Sequence, residues 1–315
     1  MEYRSGRIAE EYAETRVRAA GRWCEIAGMT IVLDTPDVDG LSVAVNALRG
    51  WQRDRAMQLH PGDIGWFWRF GAETTAGAVR TWSRDGRVLA VGLLDGSTLL
   101  RITIAADVQQ DEELVRRLVE DVTEPERGVL PAGKVNIEAP MGVLLHSLLA
   151  EQGWQTDEPW TPLSRDLAEP VKAPDLRIEI AGQEQAELWA EVLRASFEGS
   201  TFAAEKWHAM SAGTPYADAR SLIGYDEQDA AVGVVTVWSA GPGLPGLIEP
   251  MGVHNDHRGR GHGRAITVAA AAALQEMGSS SALVATPTSN VGAVATYASA
   301  GFGKLAEVHD YYREN

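Results

Sequence analysis

The stretch HRGRGHGRA, residues 257–265, places three arginines and three glycines in nine positions. It follows a strand-like run, GLIEPMGV (246–253), and leads into an alanine-rich helical run, ITVAAAAALQEMG (266–278). Elsewhere the chain is strongly acidic, with a net charge of −16 over 315 residues. A strand, a glycine-rich turn and a helix together form an anion site. The first turn of a helix leaves backbone N–H groups unpaired and carries partial positive charge. Glycines let the backbone approach the anion, and arginines add charge-assisted hydrogen bonds.

Two common phosphate fingerprints fail here. The dinucleotide pattern G-x-G-x-x-G would need glycine at 264, where Arg264 stands. A Walker loop would need Gly-Lys-Ser/Thr, but Gly303-Lys304 is followed by Leu305, and Gly133-Lys134 by Val135. The spacing Arg258-x-x-Gly261-x-Gly263 does fit a pyrophosphate loop. Further on, TSNVGAVATYASAGF (288–302) reads Asn290-x-x-Ala293-x-x-x-Tyr297-x-x-x-Gly301-Phe302. In this order and at this separation, the two motifs resemble those of the GCN5-related N-acetyltransferase (GNAT) superfamily.

The resemblance implies acetyl-CoA as co-substrate. Its diphosphate would lie on the backbone N–H groups of Arg258, Gly259, Arg260, Gly261, His262, Gly263 and Arg264. Its pantetheine arm would lie along Met251, Gly252 and Val253, with a contact from Asn290. Pro250 suits a bulge in that strand, since proline inside a sheet is tolerated mainly at bulges. Glu249 is the expected base and Tyr297 the expected acid, Tyr297 also lying beside the coenzyme. A strand-end ion pair would also explain Glu249, core packing Tyr297, and helix capping alone Asn290. His254 and His257 are reserve bases, being closer to neutral pKa by default.

Read outward, the second half runs helix (184–196), helix (203–210), three strands (RSLIGYD, AAVGVVTVWS, GLIEPMGV), helix, strand (SALVAT), helix (VGAVATYASAG), strand. The first half has nearly the same order. Helices are expected at 7–28 and 40–58, then strands GAVRTWS, RVLAVGLL and TLLRITIA, helix DEELVRRLVEDV, strand KVNIEA, helix GVLLHSLLAEQG and strand TPLSRDL. The fold class is therefore α/β with mixed sheets, as two GNAT-like domains in tandem. The first, residues 1–168, is a degenerate copy without a coenzyme loop, and the second, 175–315, carries the acetyl-CoA site. LAEPVKAPDLR (167–177) is the expected linker. Phe202, Trp207, Tyr216 and the cluster GWFWRF (65–70) are read as packing residues, with an aromatic ligand wall as the alternative.

The acidity is spread over both halves (−9 for residues 1–170, −7 for 171–315), which argues against nucleic-acid or anionic-lipid partners. No run of 18 apolar residues spans a membrane, and the polar N-terminus does not read as a signal peptide. A single cysteine, Cys24, gives neither a disulfide nor a metal cluster. The expectation is a cytoplasmic, metal-free N-acetyltransferase acting on a small-molecule amine, monomeric or homodimeric. A non-catalytic acyl-CoA sensor is the alternative, and an Arg-Gly nucleic-acid binder a third.

Overall fold

In the computed structural model, residues 30–172 and 174–314 are described; the expected helix at 7–28 and Cys24 lie outside them. The first half runs β1 (Val32–Asp34), α1 (Leu41–Trp51), α2 (Pro61–Phe67), α3 (Ala72–Ala78), β2 (Val79–Arg84), β3 (Arg87–Leu94) and β4 (Leu99–Ile104). It continues with α4 (Glu112–Thr123), β5 (Val135–Glu138), α5 (Leu144–Glu151) and β6 (Gln155–Asp166). The second half runs β7 (Arg177–Ile180), α6 (Ala186–Ser196), α7 (Ala204–Ser211), β8 (Ala219–Tyr225), β9 (Ala231–Ser239) and β10 (Gly246–Val253). There follow α8 (His262–Glu276), β11 (Ser281–Pro287), α9 (Val291–Ser299), β12 (Gly303–Lys304) and β13 (Val308–Arg313).

The elements follow from residue pattern. β3 is RVLAVGLL, nearly continuous in apolar residues, because both faces of the sheet are covered. In α4, Leu114, Val115, Leu118, Val119 and Val122 recur at helical spacing and are buried. α8 is buried around most of its girth, from Ala265 to Leu274, which its alanines allow. The structure adds β1, α2, α3 and β7 to the expected order. β1 and β7 are short edge strands, and α2 contains Gly62 and Gly65, whose low helix propensity hides it. β7 begins at Arg177, where the linker reading ends.

Both halves have a mixed sheet flanked by helices, and the two sheets join into one. The strand order is β1-β2-β3-β4-β5-β13-β6-β11-β10-β9-β8-β7, with β12 paired to β6. The pairs β4/β5 and β10/β11 are parallel, each linked by a helix crossover. Beyond each parallel pair the halves exchange strands. β13, from the second half, pairs antiparallel with β5. β6, from the first half, pairs antiparallel with β11 over Trp160–Asp166. β6 and β13 also pair with each other.

One core fills the first half, from Ile31 to Trp154. In the second half, one core lies beneath α8 and α9, and another beneath α6 and α7. Trp66, from the first half, belongs to the α6/α7 core. The halves are locked together where α2 crosses β9. A Cβ at Gly62 or Gly65 would lie 2.4 or 2.3 Å from the Trp238 side chain, so only glycine permits this approach.

Candidate active site

β10 pairs with β9 along most of its length, but with β11 only at Gly246 and Leu247. From Ile248 onward its β11-facing edge has no strand partner among the described residues, so the two strands part there. Against β9 the register shifts between Ile248 and Met251, so Glu249 and Pro250 form a bulge. The bulge reverses the alternation. Ile248, Met251 and Val253 all pack toward the α8/α9 core, whereas Gly252 lies against Ser196 at the end of α6, where a Cβ would meet Oγ at 2.6 Å. Glu249 and Pro250 are thus turned out where the strands part.

The loop after β10 presents a run of backbone amides without protein acceptors among the described residues. Gly259 and Gly261 both have positive φ (76° and 88°), a conformation that favours glycine. Among the described residues, the amides of Gly259, Arg260, Gly261, His262, Gly263 and Arg264 have no protein acceptor; the first helical bond of α8 is Ala265 N–H to the Gly261 carbonyl. The first turn of α8 has no acidic residue. Arg258 differs from its neighbours. Its amide donates to the Asn255 carbonyl at 3.3 Å, and its guanidinium donates to the carbonyls of Ser196 and Val253. It fastens the loop to α6. Arg264 is likewise engaged, by the Ser299 carbonyl and by Asp175. Arg260 makes no hydrogen bond or ion pair among the described residues and leaves its charge to the solvent side of the loop.

Glu249 is half-buried, and its carboxylate makes no hydrogen bond among the described residues. Burial and the negative field of Asp63, opposed by Arg101, push its pKa up to about 8. Its carbonyl accepts from the Trp238 indole N–H at 2.6 Å, which ties the bulge to the residue clasped by α2. Tyr297 is buried to 7 % exposure. Its hydroxyl makes no hydrogen bond among the described residues. Burial and then the nearby Glu249 charge raise its pKa. The two expected catalytic residues therefore share one electrostatic environment.

Much of that environment comes from the first half, which sequence reasoning did not bring to the site. Arg101 on β4 is buried between Asp63, at 2.7 Å, and Glu138, at 2.8 Å. Asp63 opens α2 in a capping box: His60 N–H donates to Asp63 at 2.6 Å, and Gly62 N–H donates to His60 Nδ1 at 2.9 Å. His60 Nε2 reaches the Pro245 carbonyl at 3.2 Å, and burial lowers the ring's pKa to about 4. Asp310, on the exchanged strand β13, is raised to about 7 by burial and by Glu138. The sequence signal was present: His60-Pro61-Gly62-Asp63 has a polar N-cap, proline at the first position and an acid at the third.

Asn290 caps α9, its side chain accepting from Ala293 N–H at 3.2 Å. His254 Nδ1 accepts from Asp256 N–H, which braces the loop. Phe202 and Trp207 are buried in the α6/α7 core and Tyr216 packs against it, as the packing reading had it. Asp226, His257 and His262 bring one ligand atom each within 4.8 Å of one another, a donor set that could hold a divalent ion. No helix is long and apolar enough to cross a membrane among the described residues.

Comparison with known proteins now bears on this geometry. Residues 185–302 match the acetyltransferase (GNAT) family. No curated protein matches the chain. A GCN5-related N-acetyltransferase from Sphaerobacter thermophilus superposes with a TM-score of 0.57 at 17% identity, over 90% of this chain and 95% of that one. A tandem GNAT protein from the clavulanic acid biosynthesis pathway gives 0.56 at 16%, over 90% and 98%. A GNAT-family acetyltransferase from Colwellia psychrerythraea gives 0.57 at 14%, over 91% and 100%. At these identities the likeness is one of fold. Residues 185–302 form a GNAT-family domain, within a chain that has the tandem GNAT fold, and the chemistry of that family is acyl transfer.

Proposed function

We propose that this protein is an acetyl-CoA-dependent N-acyltransferase that acetylates the amine of a small molecule by direct attack on the thioester. The observation that carries this reading is the loop of six open amides, Gly259 to Arg264, directly after the strand that carries Glu249, whose charge bears on Tyr297. The loop fits a diphosphate: two glycines at positive φ, no acid in the first helical turn, and Arg260 uncommitted. The open edge of Met251, Gly252 and Val253 would take the amide groups of the pantetheine arm.

Acetyl-CoA supplies the activated acyl group. Glu249, with its pKa near 8, would accept the proton of an incoming ammonium without holding it too tightly. Tyr297, kept neutral by burial, would donate a proton to the departing thiolate sulfur. Residues 175–315 are the proposed catalytic unit, and residues 1–168 a copy that has lost the coenzyme loop and walls the acceptor site. Calorimetric titration with acetyl-CoA, followed by a thiol-release assay on a panel of amines, tests the reading. One site per chain with amine-dependent thiol release is expected. Binding without turnover would mean a sensor, and no binding would remove the coenzyme assignment.

A further inference from the structure

The two histidines that bracket the glycine loop converge on one carboxylate. His257 stands directly before Arg258, and His262 is the first residue of α8, so four residues separate them. Paired histidine ligands of zinc are commonly separated by about three to five residues. Gly259 and Gly261, both at positive φ, turn the chain back on itself. The two imidazole rings thereby come to lie 6.3 Å apart, centroid to centroid. The third member, Asp226, directly follows β8 in the turn to β9. Its Oδ1 accepts from the amides of Gln228 and Ala230, each at 3.0 Å. Those bonds fix the carboxylate, and its Oδ2 lies 3.6 Å from His257 Nδ1.

That separation is too long for a hydrogen bond. His257 Nδ1 is nevertheless closed off from solvent and has no hydrogen-bond partner among the described residues. Buried polar atoms are normally satisfied, and an ion between the two groups satisfies this one. Zinc bonds of about 2.0–2.2 Å at tetrahedral angles set ligand atoms about 3.3–3.5 Å apart, close to the spacing of Asp226 and His257. The ligand atoms of Asp226, His257 and His262 all lie within 4.8 Å of one another. Two imidazoles and a carboxylate suit zinc and its neighbours in the first transition series; magnesium and calcium prefer oxygen shells. The two amides on Asp226 Oδ1 give the carboxylate the outer support that metal ligands usually have.

We infer that Asp226, His257 and His262 form a three-ligand zinc site, with water in the fourth position, that ties the glycine loop to the β8–β9 turn. The ion bonds a side chain at each end of the segment Arg258 to Gly261 and so holds its amides in the presenting conformation. It also adds positive charge beside the place proposed for the diphosphate. This coupling to the coenzyme rests on the transferase reading; the metal site itself does not.

Equilibrium dialysis of the metal-stripped full chain against Zn2+, with Mg2+ as the control, tests the site. One Zn2+ per chain is expected, without comparable uptake of Mg2+. His257→Ala, His262→Ala and Asp226→Asn should each weaken that binding by about a hundredfold, the upper end of what losing a supporting residue costs. No bound Zn2+, or wild-type affinity in all three variants, would overturn the site. Co2+ on the wild-type chain gives a reading that needs no variant to fold. The intense visible absorption of four-coordinate cobalt is expected, and the weak spectrum of six-coordinate aqueous cobalt would sink the ligand set. Acetyl-CoA titrated with and without Zn2+ reads the coupling, and affinity about five- to tenfold tighter with the metal is expected. Equal affinity removes the tie to the loop. Zn2+ uptake without any acetyl-CoA binding leaves the metal site standing and removes the transferase reading, and acetyl-CoA binding without Zn2+ uptake does the reverse.

Discussion

Between β4 and α4 the chain closes its turn with a carboxylate, and between β10 and α8 it leaves the turn open. Both segments join parallel strands through a helix. In the first half Asp111 caps α4, accepting from Leu114 N–H at 2.9 Å, and Glu112 and Glu113 follow in the first turn. Arg84 holds Asp111 at 2.9 Å. The hydrogen bond to Arg84, then that from Leu114 N–H, keeps the Asp111 pKa below the usual carboxylate range. The helix N-terminus is already neutralised by the protein itself. In the second half Gly261 occupies the N-cap position and offers no side chain, so six amides remain for a ligand. One architecture yields a filled or an open helix N-terminus according to whether an acid or a glycine precedes the helix.

Breaking the open turn should have the largest effect. Gly261→Trp puts a large side chain at φ 88°, over the amides, and should abolish acetyl-CoA binding while leaving the circular dichroism spectrum near wild type and lowering Tm by a few degrees, the cost of a side chain at positive φ. Glu249→Gln should lower kcat by about a hundredfold at pH 8.5, the scale of one acid–base group. The wild-type rate should climb toward a plateau as pH passes about 8, where Glu249 ionises, and the variant should lack that climb. The same shift has a stability side. A carboxyl group with a folded pKa raised above 4.5 to about 8 stabilises the fold below its unfolded pKa, and that contribution is lost as pH rises to 8. Glu249→Gln should therefore melt higher than wild type at pH 9 and similarly at pH 5.

Smaller effects follow. Tyr297→Phe should reduce kcat by about tenfold or more, with acetyl-CoA affinity within about twofold of wild type; equal loss of both would point to packing alone. Gly65→Ala forces a methyl into Trp238 and should cost about 1–3 kcal/mol in urea denaturation. It should also lower turnover, because Trp238 holds the Glu249 carbonyl. Asp111→Ala should cost about 1 kcal/mol as a lost cap and leave coenzyme binding unchanged. A second binding site appearing in that variant would break the comparison between the two turns.

The loop and the helix after it were legible because their chemistry is local. Glycines at 259 and 261 and an alanine run specify turn and helix within a dozen residues. The strands of the second half were legible by apolar period, and the bulge by Pro250. The first half's share of the site was not. Nothing in the alternation of LLRITI states that Arg101 will face Asp63, or that both will lie in the field of Glu249. GWFWRF reads as core because Phe67 and Trp68 lie in the first half's core, but the pattern does not tell that Trp66, in the same six residues, packs into the core of the second half. Nor does strand pattern name a partner. The period that identifies β6 and β13 is equally satisfied beside either half's sheet, so the exchange became visible only in three dimensions.

That exchange sets a clock on the chain as it is made. The edge of β5 can be covered only by β13, which is synthesised roughly 170 residues later. At typical elongation rates this is a wait of about 10–35 s. During it the growing first half presents a bare parallel edge, of the kind that recruits other strands. Only the arrival of β13 closes the sheet, and the same strand delivers Asp310 into the field of Glu138 and Arg101. Completion of the fold and completion of this charge cluster are therefore one event in time.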